Sequence, residues 1–502
     1  MRLSARWRML ALVLGLGLVV SATPALEKYL EVEVQRLEEA YRLLDRFAAD
    51  IWPGWDNSRD VVFRIHFPNL VQLLVKARGD PPAGYELWPG RTVAGMPVYL
   101  DRREALPLPV GIPLIGGGKG GLEVNIRLNQ TAAQSAGSSD SQILVYVHEI
   151  FHGFQGKFGA PGDDRGLFTY LVTPEYAAYS EVEGVALEKA YTEKDRAAAL
   201  EYVKDYRIAR EMKQRLLPPA TGEAEREIAR SEGTATYAQL MMAMRIRDSR
   251  YRPQLSRRAD PFFAGFRRLT GYLQENMTDD IQFARGFTFD CTGRYYPYGA
   301  YQCFLLDRFF PGWKKGFFEK GKDLDGTMDE FLRLGEKEKE SLIARLPGRY
   351  SFSEVLAKHA TAVRQRDEAL AKIRARHGHT YIIDSQPLEE FCILFPRGSM
   401  YFLVGLETFY LEGIKDFRLG EIELASGDSP WRRTGKWTFE WVDAEAGGTG
   451  NPEISYEKKE GDVYHRLVLK TLGFVLKAPL ARISEEGETG KTRITLLAKV
   501  SR

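Results

Sequence analysis

The chain has 502 residues, of which 44% are hydrophobic and 27% carry a charged side chain. This is the composition of a globular protein, so a largely disordered chain is excluded, and the length suggests about two to four domains. The formal net charge of +2 gives no reason to expect nucleic acid or an anionic membrane surface as a partner.

Residues 1–22 have the layout of a secretory signal peptide. Three arginines, Arg2, Arg6 and Arg8, precede an apolar run from Met9 to Val20, and the small residues of VVSATPA follow as a cleavage site. The run is shorter than the roughly 20 residues that a membrane-spanning helix needs, so an uncleaved anchor is the less favoured alternative. We therefore predict an exported protein, periplasmic or secreted, with no membrane span after signal cleavage.

Residues 23–140 are predicted to form an N-terminal α+β segment. From Leu26 to Ile51, apolar side chains recur at alternating spacings of four and three, which predicts an amphipathic helix packed on a core. Strand-like sequences start at Val61 and at Met96. Between Gly121 and Asn129 apolar and polar residues alternate, which predicts a half-exposed edge strand.

Residues 141–378 are predicted to be mainly helical, with one break at LLPPATG, from Leu216 to Gly222. In residues 379–502 the apolar residues recur with a period of two, as in KWTFEWV, which predicts a small antiparallel β domain. The predicted fold class is α+β.

The three cysteines, Cys291, Cys303 and Cys392, are too few for a disulfide scaffold and form no CxxC pair. In an exported chain, Cys291 and Cys303 could form one disulfide. Three buried free thiols are an equally good interpretation, and the sequence leaves both open.

The sequence VYVHEIFHGFQ, from Val145 to Gln155, places His148 and His152 four residues apart, with Glu149 directly after the first. On a helix, residues four apart share a face, so both imidazoles can bind one metal ion while Glu149 lies beside it as a base for water. The flanking residues carry no charge, which predicts a helix buried on nearly all sides. Without a metal such a helix would bury polar groups without partners, at about 1 to 3 kcal/mol each. We therefore predict a Zn²⁺ site, with a metal-free structural helix as the alternative.

A catalytic zinc site needs a third protein ligand and an open position for water. Two glutamates in predicted helices compete for this role. Glu183, in SEVEGVALEKAY, follows His152 by 31 residues, and Glu232, in ARSEGTATYAQL, follows it by 80. The next residue is glycine in both cases, which lets another backbone approach closely.

With these segments the chain resembles the gluzincin-like zinc metallopeptidases, HExxH enzymes of the zincin superfamily whose third ligand is a glutamate on a later helix. In many members this glutamate opens an EGxAxY pattern, which the sequence from Glu232 to Tyr237 matches in full and which Glu183 matches only in its first part. The spacing of Glu183 is closer to that of the best-known members. The resemblance covers roughly residues 120–310 and implies a zincin-like, mainly helical catalytic core, with Glu232 as the third ligand and Glu183 as the alternative.

The resemblance also implies roles for other residues. Glu149 would be the general base, and a tyrosine or histidine from a later helix would stabilise the oxyanion. Tyr296, in GRYYPYGAYQ, stands in the order in which such families place their tyrosine. Because an edge strand before the HExxH helix pairs with extended substrate in zincins, the ligand would be a peptide or protein. Lower-ranked alternatives to the tyrosine are His359, His377, His379 and His465.

The predicted function is therefore that of an exported zinc-dependent metallopeptidase that hydrolyses peptide bonds with zinc-activated water and a glutamate base. One alternative is an HExxH metal hydrolase of a non-peptide substrate. The other is a non-catalytic envelope binding protein with a zincin fold. Glu149 favours an enzyme, because a chain that needs only structure or zinc has no use for the base.

Overall fold

The computed structural model of the chain describes residues 24–55, 58–67, 71–77, 79–102, 123–127, 139–159, 173–279 and 294–374, and then residues 379–385, 392–394, 401–403, 408–411, 414–425, 434–443, 453–470, 475–485 and 491–496. The predicted signal peptide lies outside the described residues. The fold is mixed helix and sheet and belongs to the predicted α+β class. Within the described ranges, no helix combines the length and the apolar character needed to cross a bilayer.

Helix α1 (Pro24–Ile51) buries the apolar stripe that its sequence predicts. The residues of this stripe, each at most 6% exposed, are Leu30, Val34, Leu37, Tyr41, Leu44, Ala48 and Ile51. Just beyond the helix, the rings of Trp52 and Trp55 lie 5.3 and 4.8 Å from that of Phe151. The N-terminal helix therefore shares its core with the segment that carries both histidines of the HExxH sequence.

The N-terminal sheet has five strands: β1 (Val62–Phe67), β2 (Val71–Val75), β3 (Glu86–Val93), β4 (Met96–Asp101) and β5 (Glu123–Arg127). Their order is β3-β4-β2-β1-β5, and β5 runs parallel to β1 while the other pairs are antiparallel. Strand β5, where the sequence predicts an edge strand, is the last strand of this sheet in the described part of the chain.

Between the two sheets the described residues are mainly helical, and the break at Leu216–Gly222 is shorter than the sequence predicts. The helices are α2 (Ser139–Gln155), α3 (Pro174–Thr192), α4 (Arg196–Gln214), α5 (Pro219–Ile228), α6 (Thr234–Ser249), α7 (Leu269–Leu273), α8 (Tyr295–Phe309), α9 (Leu324–Leu332), α10 (Glu336–Arg349) and α11 (Phe352–Arg374). Two π turns, Ala229–Gly233 and Gln274–Asp279, lie among them. Helix α5 starts inside the predicted break because Pro219 occupies its first turn, where a missing N–H costs nothing.

Buried charges join α1 to α2 and fix where α2 lies. Arg36 donates through Nε to Asp260 at 2.7 Å and through Nη2 to the Ser139 hydroxyl at 2.8 Å. Tyr146 donates to Glu33, whose pKa is raised by burial. Since all five side chains are buried, removing any one of them would leave a buried polar group short of a partner. The position of the HExxH helix thus depends on the N-terminal helix.

The C-terminal strands form one sheet of eleven strands. They are β6 (His379–Ser385), β7 (Cys392–Leu394), β8 (Tyr401–Leu403), β9 (Thr408–Leu411), β10 (Ile414–Ala425), β11 (Thr434–Asp443), β12 (Glu453–Ser455), β13 (Lys458–Glu460), β14 (Val463–Lys470), β15 (Val475–Glu485) and β16 (Lys491–Leu496). The order is β12-β14-β15-β16-β6-β11-β10-β9-β8, with β13 on β14 and β7 on β15. A purely antiparallel arrangement is wrong for one pair, since β6 and β16 are parallel. These are the first and last strands of the segment, so the connection is long enough for a parallel alignment.

Candidate metal centre

Helix α2 carries His148, Glu149 and His152, and it is buried along nearly its whole length, as predicted. Its close packing requires a glycine where the helix meets Val61, the residue before β1. A Cβ on Gly153 would lie 2.5 Å from the Cγ2 atom of Val61. The uncharged flanks of the HExxH sequence therefore reflect packing on all sides, and the three polar side chains project into a nearly closed interior.

Glu232 meets the two histidines of α2. Its Oε2 atom lies 3.2 Å from Nε2 of His148 and 3.2 Å from Nε2 of His152, and the two Nε2 atoms are 3.1 Å apart. One ligand atom from each of the three residues falls within 4.8 Å of the others. This group, together with Glu149, is called the metal centre below. Two imidazole nitrogens and one carboxylate oxygen are the ligand types of a catalytic zinc site.

Glu232 lies in the π turn Ala229–Gly233, between α5 and α6. Such turns insert one residue into a helix and recur at functional sites. A Cβ on Gly233 would lie 2.5 Å from Cα of Gly299 in α8, and a Cβ on Gly299 would lie 2.5 Å from the Ala229 carbonyl oxygen. Only glycine fits at both positions, which confirms the prediction that the glycine after Glu232 permits close backbone approach. The contact holds α8 against the turn that carries Glu232.

Tyr296, in the first turn of α8, lies beside the metal centre. Its ring is parallel to that of His148, with an interplanar angle of 6° and centroids 6.2 Å apart. Its neighbour Tyr295 is buried in a different cluster. The close crossing of α8 and the π turn therefore brings the predicted tyrosine to the histidines.

Each histidine Nδ1 faces a glutamine that sequence reasoning missed. Nδ1 of His152 lies 2.7 Å from Oε1 of Gln155, and Nδ1 of His148 lies 3.1 Å from Oε1 of Gln239. An amide oxygen only accepts hydrogen bonds, so the Nδ1 atom of His152 carries the proton, as does that of His148 when the Gln239 oxygen faces it, and each Nε2 is the position left for a metal. Gln155, three residues after His152 on the same helix, could have been found from spacing, whereas Gln239 comes from another helix.

In the metal centre, burial and the contacts between carboxylates and histidines shift the pKa values of these side chains. Burial raises the pKa of Glu149, and its Oε2 atom is buried without a hydrogen-bond partner. Burial alone would lower the pKa of His152, but Glu232 outweighs it and raises that pKa to about 9. Burial alone would raise the pKa of Glu232, but the His152 charge outweighs it and holds that pKa well below its usual range. The centre therefore favours positive charge between the histidines and Glu232.

Glu183, the alternative third ligand, lies elsewhere. It is fully buried and accepts from Arg210 Nη1 at 2.8 Å and from Lys213 Nζ at 2.6 Å. Arg210 Nε also donates to Asp325 at 2.6 Å, and Lys213 lies 3.1 Å from a carboxylate oxygen of Glu225. These five residues are called the ion-pair network below. The structure thus brings Glu232, and not Glu183, to the histidines.

The lower-ranked histidines do not join the metal centre where their side chains are described. His359 lies 2.7 Å from Glu181, and His465 lies 3.6 Å from Glu460. His377 lies outside the described residues, and for His379 only the strand backbone is described.

Of the three cysteines, Cys303 is buried and carries a free thiol. Cys291 lies outside the described residues, and Cys392 is described only as part of β7. Among the residues whose side chains are described, Cys303 is therefore the one thiol.

Comparisons with protein-family models, with curated proteins and with solved structures found no match to this chain.

Proposed function

We propose that the chain is an exported zinc-dependent metallopeptidase with a zincin-like helical catalytic core. The observation that carries the proposal is the convergence of His148, His152 and Glu232, from two helical segments 80 residues apart, beside the unpartnered buried carboxylate of Glu149. Export rests on the signal-like sequence of residues 1–22.

The residues fit a zinc ion by their donor chemistry. Nε2 of both rings faces Oε2 of Glu232, so three ligand atoms point at one place. A buried carboxylate oxygen without a partner costs about 1–3 kcal/mol or more, so Glu149 Oε2 calls for a donor such as water in the same space. His148, His152 and Glu232 would hold the ion, and Glu149 would face its water.

In peptide hydrolysis each residue would have a defined task. When bound, Zn²⁺ lowers the pKa of a bound water toward about 7 and polarises the scissile carbonyl. The Glu149 carboxylate would take one proton as water adds to the carbonyl carbon, and would then give it to the nitrogen as the C–N bond breaks. This gives a carboxylic acid and an amine, between which the second proton of the water passes to leave a carboxylate and an ammonium group, and Glu149 returns to its starting state.

Tyr296 would stabilise the oxyanion. Its ring lies parallel to that of His148, at the edge of the metal centre. A hydroxyl donor placed there would reduce the charge that develops on the carbonyl oxygen, an effect worth about 100- to 1,000-fold in rate for a single donor.

The substrate is proposed to be a peptide or protein. Strand β5 pairs with β1 through one of its edges, and no other strand of the described part of the chain pairs with it. By resemblance to zincins, an extended peptide would add to this strand through main-chain hydrogen bonds. Cleavage of a peptide library tests this substrate class.

The experiment compares the wild type with Glu149→Gln on a peptide library. We expect about one zinc per chain in both proteins and a loss of cleavage by the variant of about 100- to 10,000-fold, because only the proton acceptor is removed. Persistent cleavage by the variant would contradict the mechanism. Zinc without peptide cleavage in the wild type would favour a non-peptide hydrolase or a binding protein, and absence of zinc after zinc-replete expression would exclude a zinc enzyme.

A further inference from the structure

Gln155 connects the two segments that form the metal centre. It ends helix α2, three residues after His152, and is 8% exposed. Its Oε1 atom lies 2.7 Å from Nδ1 of His152. Its Nε2 atom donates to the carbonyl oxygen of Ser231 at 2.8 Å and to the Thr234 hydroxyl at 2.7 Å. One side chain thus contacts a histidine on α2 and the π turn that carries Glu232.

The direction of the Gln155 amide follows from its partners. A backbone carbonyl only accepts hydrogen bonds, so the –NH₂ group must face Ser231 and the oxygen must face His152. Gln239, at the other histidine, donates to the hydroxyl of Tyr272 at 2.6 Å, and a hydroxyl can donate or accept. The hydrogen-bonding pattern therefore fixes one orientation for Gln155 but leaves two for Gln239.

The same contact also positions Glu232. Ser231 is the residue before Glu232, inside the π turn. Thr234 Oγ1 donates to the Arg230 carbonyl at 2.7 Å and accepts from Gln155. The Gln155 amide thus donates hydrogen bonds to Ser231, the residue before Glu232, and to Thr234, two residues after it. These two bonds hold Glu232 toward the histidines.

We propose that Gln155 is a positioning residue of the metal centre, which fixes the Nδ1–H tautomer of His152 and ties it to the turn that carries Glu232. This inference rests on the proposed zinc site. Because an amide is neutral, Gln155 orients the histidine without adding a negative charge next to it. Groups that orient a metal-ligating histidine typically contribute about 10- to 100-fold to metal affinity.

The test measures zinc affinity, by competition with a chelator, and the visible absorption spectrum of the Co²⁺-substituted protein. Gln155→Met keeps the side-chain length but removes both the acceptor and the donor, and we expect about 10- to 100-fold weaker zinc binding and an altered Co²⁺ spectrum. Gln155→Glu also loses the donation to Ser231 but keeps an acceptor for His152, so it should bind zinc more tightly than Gln155→Met. The matched control is Gln142→Met on the same helix, because Gln142 is also 8% exposed and should leave zinc affinity unchanged.

The outcomes separate this inference from the proposed function. A wild type that binds no zinc would remove the proposed function itself. A wild type that binds zinc, with Gln155→Met equal to it in affinity and Co²⁺ spectrum, would overturn only the role of Gln155. Equal losses in Gln155→Met and Gln142→Met would also overturn it, since that result would indicate general loosening of α2. If Gln155→Glu were no better than Gln155→Met, the role of the acceptor at His152 would be refuted.

Discussion

The metal centre and the ion-pair network are two buried polar clusters built around the same short pattern, Glu-Gly-x-Ala. In the ion-pair network Glu183 opens the pattern, and in the metal centre Glu232 does. Both glutamates are buried or nearly so, and both belong to helical segments. They differ in the cations that surround them.

In the ion-pair network the chain supplies its own positive charges. Arg210 and Lys213 pair with Glu183, and Arg210 also holds Asp325. Burial alone would raise the pKa of Asp325, but Arg210 outweighs it and holds that pKa well below its usual range. The cluster is complete as a structural element, since buried charges are stable when they are paired and hydrogen-bonded.

In the metal centre the chain supplies carboxylates but no permanent cation. Among the described residues, neither lysine nor arginine hydrogen-bonds to Glu149 or Glu232, whose charged neighbours are His148 and His152. One carboxylate oxygen of Glu149 has no partner. The two clusters thus surround a buried glutamate in different ways, with arginine and lysine in the ion-pair network and with histidines in the metal centre, where we propose that a cation binds.

The largest effect that separates the clusters is expected in zinc content. Glu232→Ala should lose stoichiometric zinc, because it removes one of three ligands, and should still fold. Glu183→Ala should retain zinc in the fraction that folds, because Glu183 contacts Arg210 and Lys213 and not the histidines. Metal analysis of the purified variants checks both. If zinc were lost only from the Glu183 variant, the assignment of the third ligand would be reversed. Should Glu183→Ala fail to fold, Glu183→Gln, which keeps the side-chain volume, replaces it in the comparison.

Lys213 is expected to stabilise the fold without affecting zinc binding. Lys213 lies within 3.1 Å of Glu183, Glu225 and Tyr295. Lys213→Met would leave two buried carboxylates short of their cation, and we expect a loss of about 3–5 kcal/mol in the free energy of unfolding. Zinc affinity per folded molecule should be unchanged. Denaturant unfolding and chelator competition on the same protein measure the two quantities, and a variant with normal stability but weak zinc binding would refute the separation of the clusters.

Tyr295 and Tyr296 test whether the ion-pair network and the metal centre act independently, because they are adjacent on α8 and belong to different clusters. Tyr295 receives a hydrogen bond from Lys213 at 3.1 Å, whereas the Tyr296 ring lies parallel to that of His148 with the centroids 6.2 Å apart. Tyr296→Phe should lower peptide cleavage about 100- to 1,000-fold with unchanged stability. Tyr295→Phe should cost about 1–3 kcal/mol in stability with little effect on the rate per folded molecule. Steady-state kinetics and thermal unfolding of the pair are the measurement, and equal effects in both variants would contradict the assignment.

The parts of the molecule that could be predicted from sequence are those set by local periodicity. The stripe of α1, the buried HExxH helix and the edge strand β5 follow from spacings within one segment. The parallel pairing of β6 with β16 could not be predicted, because it joins segments about a hundred residues apart.

Local sequence favours Glu232 over Glu183 only through Tyr237, which completes the EGxAxY pattern, because both glutamates open Glu-Gly-x-Ala and the spacing to His152 favours Glu183. What distinguishes them is a second helix: Arg210 and Lys213, three residues apart on α4, face Glu183. Their spacing places them on one side of a helix, but only the tertiary packing reveals that this side is buried. The π turn at Glu232 likewise packs closely against α8. This contact between distant segments cannot be read from a single sequence.

The smallest expected effect comes from the close contact between the π turn and α8. Gly233→Ala would place a Cβ 2.5 Å from Cα of Gly299, so the π turn and α8 must separate. We expect a loss of about 1–3 kcal/mol in stability and weaker zinc binding, because Glu232 moves with the turn. Gly271→Ala is the matched control, since a Cβ on that helical glycine meets nothing within 4 Å and should be neutral or stabilising by up to about 1 kcal/mol. If Gly233→Ala lost stability but kept full zinc affinity, the turn would be a packing element only, and Glu232 would be held in place by the histidines and Gln155 rather than by the backbone contact.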